Sequence, residues 1–201
     1  MKIDRLLAAA IAAIAWFGLV LQFQASFAQL HTVPATLWAM VLYFTVIVNL
    51  LVAIVFTSLA FGWSGIATPF NVGGVTIAIL LVGVVYNTLL AGMLELSGGA
   101  KLADTINHKA TPVLVTLFWL FLAKKGRLDW NAPAKWALLP LAYFVYGLVR
   151  GHNEGKYPYP FMNLARLGWA QTMINAAAMA LGFIAVGYVI VWLDRHLPKR
   201  R

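Results

Sequence analysis

Six long apolar runs, parted by short polar gaps, fill most of this 201-residue chain. A helix needs roughly 20 predominantly apolar residues to cross a hydrocarbon core about 30 Å thick. On that measure the pattern predicts transmembrane helices at about 5–27, 34–61, 75–95, 102–123, 133–150 and 169–193. The expected fold class is all-α, a polytopic membrane protein folded as a single six-helix bundle over residues 1–201. The gaps carry helix breakers: Pro34 at the second run, Gly62, Gly65, Pro69, Gly73 and Gly74 before the third, and Gly98 and Gly99 before the fourth. No gap is long enough to hold a second domain. The fourth run is the least uniform, because Asp104, Asn107, His108 and Lys109 precede its continuous apolar stretch.

Composition agrees with lipid as the solvent. With 62% hydrophobic and 10% charged residues, the chain has too little polar surface to cover a water-soluble globule of its size. The amino-terminal segment, with Lys2 and Arg5 ahead of an apolar stretch ending Ser26-Phe27-Ala28, resembles a cleavable signal. Its apolar core exceeds the ~7–15 residues usual for a signal, so it reads as a retained helix.

Basic residues near the membrane set the expected orientation. With an internal amino terminus, Lys2, Arg5, Lys124, Lys125, Arg127, Lys135, Arg195, Lys199, Arg200 and Arg201 fall inside, against Lys101, Lys109, Arg150, Lys156 and Arg166 outside. That asymmetry places both termini in the cytoplasm, with the inner bacterial membrane as the expected location. The net charge of +9 then reads as a topology signal and as affinity for anionic lipid. It is divided among loops without a groove-sized patch, which argues against nucleic-acid binding.

The chain has no cysteine, so thiolate catalysis and disulfides are excluded. His31, His108, His152 and His196 are widely spaced and form no metal-binding helix pattern, and neither a metal nor another cofactor is expected. Glycine-rich phosphate loops and nucleophile elbows are also missing. Attention therefore falls on polar residues inside the spans: Thr45, Asn49, Asn87, Thr88, His108, Tyr143, Tyr146, Gln171 and Asn175. Any of them can serve as interhelical glue or bond back to its own helix.

Two groups fit together more closely. Thr45 and Asn49 share a helix face, and Thr45 lies about 16 Å along from Pro34. His108 lies four residues before Pro112, which has no N–H for the His108 carbonyl, so a kink with a free carbonyl is expected there. His108 is about 10 Å below the outer end of its helix, so the two depths match if the helices are neighbours. Asp104, one turn earlier, is placed to hold an imidazole nitrogen. A hydroxyl beside a carboxylate-oriented imidazole is the arrangement of nucleophilic acyl transfer. Composition alone reads His108 first as an interfacial residue that reaches the headgroups together with Lys109.

Four segments carry a resemblance. Tyr43-Phe44-Thr45 with Asn49, then Asn107-His108-Lys109-Ala110-Thr111-Pro112 leading to Trp119, then residues 143–151, then Gly155-Lys156-Tyr157-Pro158-Tyr159-Pro160-Phe161 together resemble the androgen-induced and androgen-dependent membrane protein family and its bacterial six-pass relatives. The resemblance covers about two thirds of the chain, with its short motifs in the same order. It implies an intramembrane threonine hydrolase that cleaves fatty acid esters of hydroxy fatty acids, with Thr45 as nucleophile and His108 as base. The spacing around Asn49 and His108 is nearer the bacterial branch, and the resemblance fixes no role for Asn49 or Asp104.

On this reading a lipid ester enters sideways from the bilayer. His108 takes the Thr45 proton, an acyl-threonine forms, and water releases the acid. Asn49, Asn87 and Tyr146 are candidates for substrate binding or oxyanion donation. The loop from Tyr157 to Phe161 is either a lid or an interfacial anchor. Expected partners are the lipid substrate and the membrane lipids, with no nucleic acid. A small transporter or channel, and a non-catalytic lipid-binding scaffold, remain as alternative classes.

Overall fold

The computed structural model describes residues 3–93 and 95–198; Lys2, Lys199, Arg200 and Arg201 of the predicted inner charge set lie outside them. Among the described residues every regular element is helical. Five helical segments are long and apolar enough to cross a membrane: Ile3–Leu30, Phe44–Phe61, Pro69–Leu90, Ala132–Glu154 and Leu164–His196. Large apolar side chains such as Phe17, Phe121, Leu138 and Leu181 stay exposed on their surfaces, as expected where lipid is the solvent.

The chain forms two compact units, one from Met1–Leu128 together with Asp194–Arg201, the other from Asp129–Leu193. The first unit begins with α1 (Ile3–Leu30), which buries a small-residue stripe of Ala8, Ala12, Ala15 and Gly18. Small side chains let helix backbones approach closely without a hydrophobic drive between them, and α1 packs on the helices Phe44–Phe61 and Gly98–Thr105. The second predicted span is two helices, α2 (Val33–Met40) and α3 (Phe44–Phe61). Between them Leu42 and Tyr43 donate to Ala39 O and Met40 O, and Tyr43 adopts an extended backbone. Neither proline nor glycine marks this break.

Helix α3 ends at Gly62, whose φ of 77° is left-handed, with Trp63 N donating back to Ser58 O at 2.8 Å. Helix α4 (Pro69–Val85) starts at 69 rather than 75 because Thr68 caps it, its hydroxyl accepting from Asn71 N, with proline in the first turn. It runs on into a π turn, Tyr86–Leu90.

The fourth predicted span is a continuous helical run in three pieces: α5 (Gly98–Thr105), a π turn (Ile106–Ala110) and α6 (Thr111–Phe121). Val113, Leu117 and Phe121 project outward from α6, while Val115, Phe118 and Trp119 are buried. The core of the first unit is completed by Val48, Val52 and Phe56 of α3 with Ile77 and Ile79 of α4.

In the second unit α7 (Ala132–Glu154) contains Pro140 and ends at left-handed Gly155. Gly147 and Gly151 lie under the following loop: a Cβ at Gly151 would sit 2.3 Å from Tyr157 Cδ1. Helix α8 (Leu164–His196) is interrupted at Gly168 (φ 72°, ψ 170°), so its long stretch begins where the sequence pattern places it.

Candidate functional site

The α2–α3 break puts Thr45 in the first turn of α3, not in mid-helix. Its Oγ1 lies 3.2 Å from Nε2 of His108, which sits in the π turn before α6. Thr45 is buried, with 8% of its surface accessible, whereas the His108 and Asp104 side chains keep 16% and 17%. The imidazole and carboxylate are therefore partly open to the surroundings while the hydroxyl stays shielded.

The other imidazole nitrogen, Nδ1, is 3.0 Å from Asp104 Oδ1 and 3.1 Å from Asp104 O. Both are acceptors, so the proton of the neutral ring belongs on Nδ1, and the lone pair on Nε2 faces the Thr45 hydroxyl. The second Asp104 oxygen, Oδ2, accepts from Tyr86 Oη at 2.7 Å. The Tyr86 ring also stacks on the imidazole, with centroids 3.8 Å apart and planes 16° from parallel. Tyr86, Asp104, His108 and Thr45 thus form one hydrogen-bonded chain, and both Tyr86 and His108 stand on π turns, local distortions that recur at functional sites.

The carbonyl released by Pro112 is not free, contrary to the sequence expectation. Thr111 N donates to Ile106 O across five residues. In that register the next donor, for Asn107 O, would be residue 112, a proline. In ordinary α register, residue 112 would serve His108 O. One proline therefore leaves two consecutive carbonyls without in-helix donors. Each is met by an asparagine from a flanking helix. Asn49 Nδ2 donates to Asn107 O at 3.2 Å and to Thr45 O at 2.9 Å. Asn87 Nδ2 donates to His108 O at 3.1 Å and to Gly83 O at 2.7 Å.

This arrangement revises the part expected of Asn49 and Asn87. Both N–H groups of each amide are engaged by carbonyls, so neither offers a free donor to an oxyanion at Thr45. They hold the turn that carries the imidazole. Gly83 and Gly18 let this turn seat: a Cβ at Gly83 would meet Pro112 Cβ at 2.9 Å, and one at Gly18 would meet Asn107 Oδ1 at 2.5 Å.

Tyr146 belongs to the second unit, where its hydroxyl accepts from Arg150 Nη1 at 2.7 Å and Arg150 Nε pairs with Glu154 at 2.8 Å. Tyr143 also lies there, its ring 6.3 Å from that of Tyr159, which stacks on Phe161. Gln171 and Asn175 bond to one another, and Asn175 donates to Phe161 O. Thr88 bonds back to Val84 O in its own helix. All five thus find partners within their own unit.

No sequence signal singles out Tyr86, and Asn107 and Thr111 appear there only as neighbours of His108. Tyr86 stands beside the noted Asn87 and Thr88 in the middle of the predicted third span, where an aromatic ring reads as one more apolar packing residue. Asn107 and Thr111 are almost fully buried, and their side-chain oxygens have no hydrogen-bond partner among the described residues. Among those residues no group of three or more His, Asp or Glu side chains is placed to hold a metal ion. Compared with protein-family models, curated proteins and solved structures, the chain matches none.

Proposed function

We propose that this protein is an intramembrane hydrolase of lipid esters, with Thr45 as nucleophile and His108 as general base, and that fatty acid esters of hydroxy fatty acids are its substrate class. The observation that carries the reading is the 3.2 Å approach of Thr45 Oγ1 to His108 Nε2, with Nδ1 held by Asp104. A free hydroxyl is a weak nucleophile, and an adjacent base whose far nitrogen is fixed is the usual means of activating it. The substrate class comes from the motif resemblance around Thr45 and His108.

In the reaction, His108 Nε2 removes the Thr45 proton as Oγ1 attacks the ester carbonyl, and returns it to the departing hydroxy-fatty-acid oxygen. Water, deprotonated by the same imidazole, then breaks the acyl-threonine and releases the acid. Tyr86 and Asp104 stabilise the imidazolium formed in each step. The amino-terminal turn of α3, whose amides point away from the helix body, offers favourable potential to negative charge developing next to Thr45.

The run 98–121 is about 36 Å long at about 1.5 Å per residue, enough for a sixth crossing. With the distribution of basic residues, that length supports the reading of a six-pass inner-membrane protein with both termini in the cytoplasm.

The test is release of free acid from a hydroxy-fatty-acid ester by purified protein in detergent, with Thr45→Ala, Thr45→Ser and His108→Ala in parallel. The reading expects turnover in the wild type, a measurable remainder in Thr45→Ser and none in the other two while both stay folded. Equal turnover in all four proteins, or none above background in the wild type, would sink it.

A further inference from the structure

The opposite end of the first unit, away from Thr45 and His108, carries a cavity of about 600 Å3 where the start of α1, the end of α3, the start of α4 and the end of α6 come together. Its inner wall is apolar, formed by Leu59, Val72, Phe118, Trp119 and Leu122. Its mouth is polar and basic: Arg5, Lys124 and Arg127 line it, with one carboxylate, Asp4, and the hydroxyls of Ser64 and Thr68. The amino terminus of α4 opens onto the same mouth through Thr68 and Pro69, which adds the positive end of a helix dipole.

The basic rim is built into the fold. Between Lys124 and Arg127 the chain turns through left-handed Gly126. On one side the ammonium of Lys125 turns inward, donating to Trp119 O and to Ala123 O and lying 4.3 Å from the centre of the Trp119 ring. On the other, Asp194 Oδ2 accepts from Arg127 N at 2.8 Å and Leu128 N at 2.9 Å, and Asp194 O accepts from Gly126 N at 2.7 Å. Lys125 is buried, so these anchors hold the backbone while Lys124 and Arg127 keep exposed side chains at the cavity. Arg5 reaches the same mouth across Gly62, where a Cβ would stand 2.6 Å from its Nη2.

An anionic head beside an aromatic and aliphatic wall is the complement of this shape. The geometry points to a binding site for one anionic phospholipid, its phosphate at Arg5, Lys124 and Arg127 and one acyl chain along Phe118 and Leu122. Basic pockets between membrane helices on the cytoplasmic side hold acidic headgroups in this way, and the basic-residue count assigns this end of the bundle to the cytoplasm. The site stands apart from the chemistry at Thr45 and does not depend on it.

The test is native mass spectrometry of the purified, delipidated protein titrated with dioctanoyl phosphatidylglycerol, dioctanoyl phosphatidylcholine and glycerol 3-phosphate. Expected is saturable one-to-one binding of phosphatidylglycerol, at least tenfold tighter than phosphatidylcholine, with glycerol 3-phosphate weaker than the intact lipid. Each surface cation contributes about fivefold, so Lys124→Gln/Arg127→Gln should weaken phosphatidylglycerol roughly 30-fold. The charge-matched Lys101→Gln/Lys135→Gln variant should leave it unchanged. If the first double variant does not fold, Arg5→Gln carries the same comparison with a loss of about fivefold. Equal binding of the two lipids, equal loss in both double variants, or glycerol 3-phosphate binding as tightly as the lipid would overturn the proposal, the last by assigning the site to a free phosphate ester.

Discussion

Asn49→Ala combined with Pro112→Ala is the sharpest perturbation of the π turn that carries His108. Asn49 is fully buried and Asn107 nearly so. Of the two bonds that Asn49 Nδ2 makes, the one to Thr45 O is redundant, because that carbonyl already belongs to the α3 ladder. The bond to Asn107 O has no substitute, because Thr111 N is turned to Ile106 O and residue 112 has no N–H. Asn49→Ala therefore strands a buried carbonyl, at a cost of about 1–3 kcal/mol. That exceeds the ~0.6 kcal/mol average for interhelical bonds in membranes, where the released group commonly finds another partner. Pro112→Ala restores an N–H, which reaches Asn107 O in π register or His108 O in α register. The double variant should then be more stable than the sum of the single losses by about 1 kcal/mol. Chemical denaturation in detergent micelles, followed by circular dichroism across all four members of the cycle, measures this. Additivity within about 0.5 kcal/mol would falsify the account of the two orphaned carbonyls.

Tyr86→Phe keeps the ring stack on His108 but deletes the 2.7 Å bond to Asp104. Ester-hydrolysis kinetics should show kcat lower on the order of tenfold with KM and thermal stability near wild type; an unchanged kcat refutes its place in the chain of bonds. Gly18→Ala drives a methyl group to 2.5 Å from Asn107 Oδ1 and 2.6 Å from Ile106 Cγ2, and should destabilise the protein by about 1–3 kcal/mol. A thermal midpoint equal to wild type would show that α1 does not limit the seating of the turn. In the second unit Gly151→Ala forces Tyr157 from its place over α7, lowering the midpoint comparably, and Tyr157→Ser in the same chain should recover part of the loss. No recovery would place the strain elsewhere.

That the chain is helical and lies in a membrane is legible from its residues alone. Lipid offers no hydrogen bonds to a backbone, so long apolar runs must satisfy their amides internally, and the positions of those runs are visible without a structure. Thr45, His108 and Asp104 were also legible as a group, through matched depth, an i,i+4 relation and a motif resemblance. Other features depend on groups distant along the chain and emerge only once it is folded. Thr45 and His108 meet across 63 positions. The break before α3 has no proline or glycine to announce it, and it brings Thr45 to a helix start.

Pro112 announced lost donors, but not that the helix would shift into a π turn or that asparagines 58 and 21 positions away would answer the exposed carbonyls. An amide side chain has the same donors whether it faces an oxyanion or a backbone oxygen, so sequence cannot separate those uses of Asn49 and Asn87. The choice is made by which carbonyls neighbouring helices leave unpaired, a property of packing between segments and not of any segment alone.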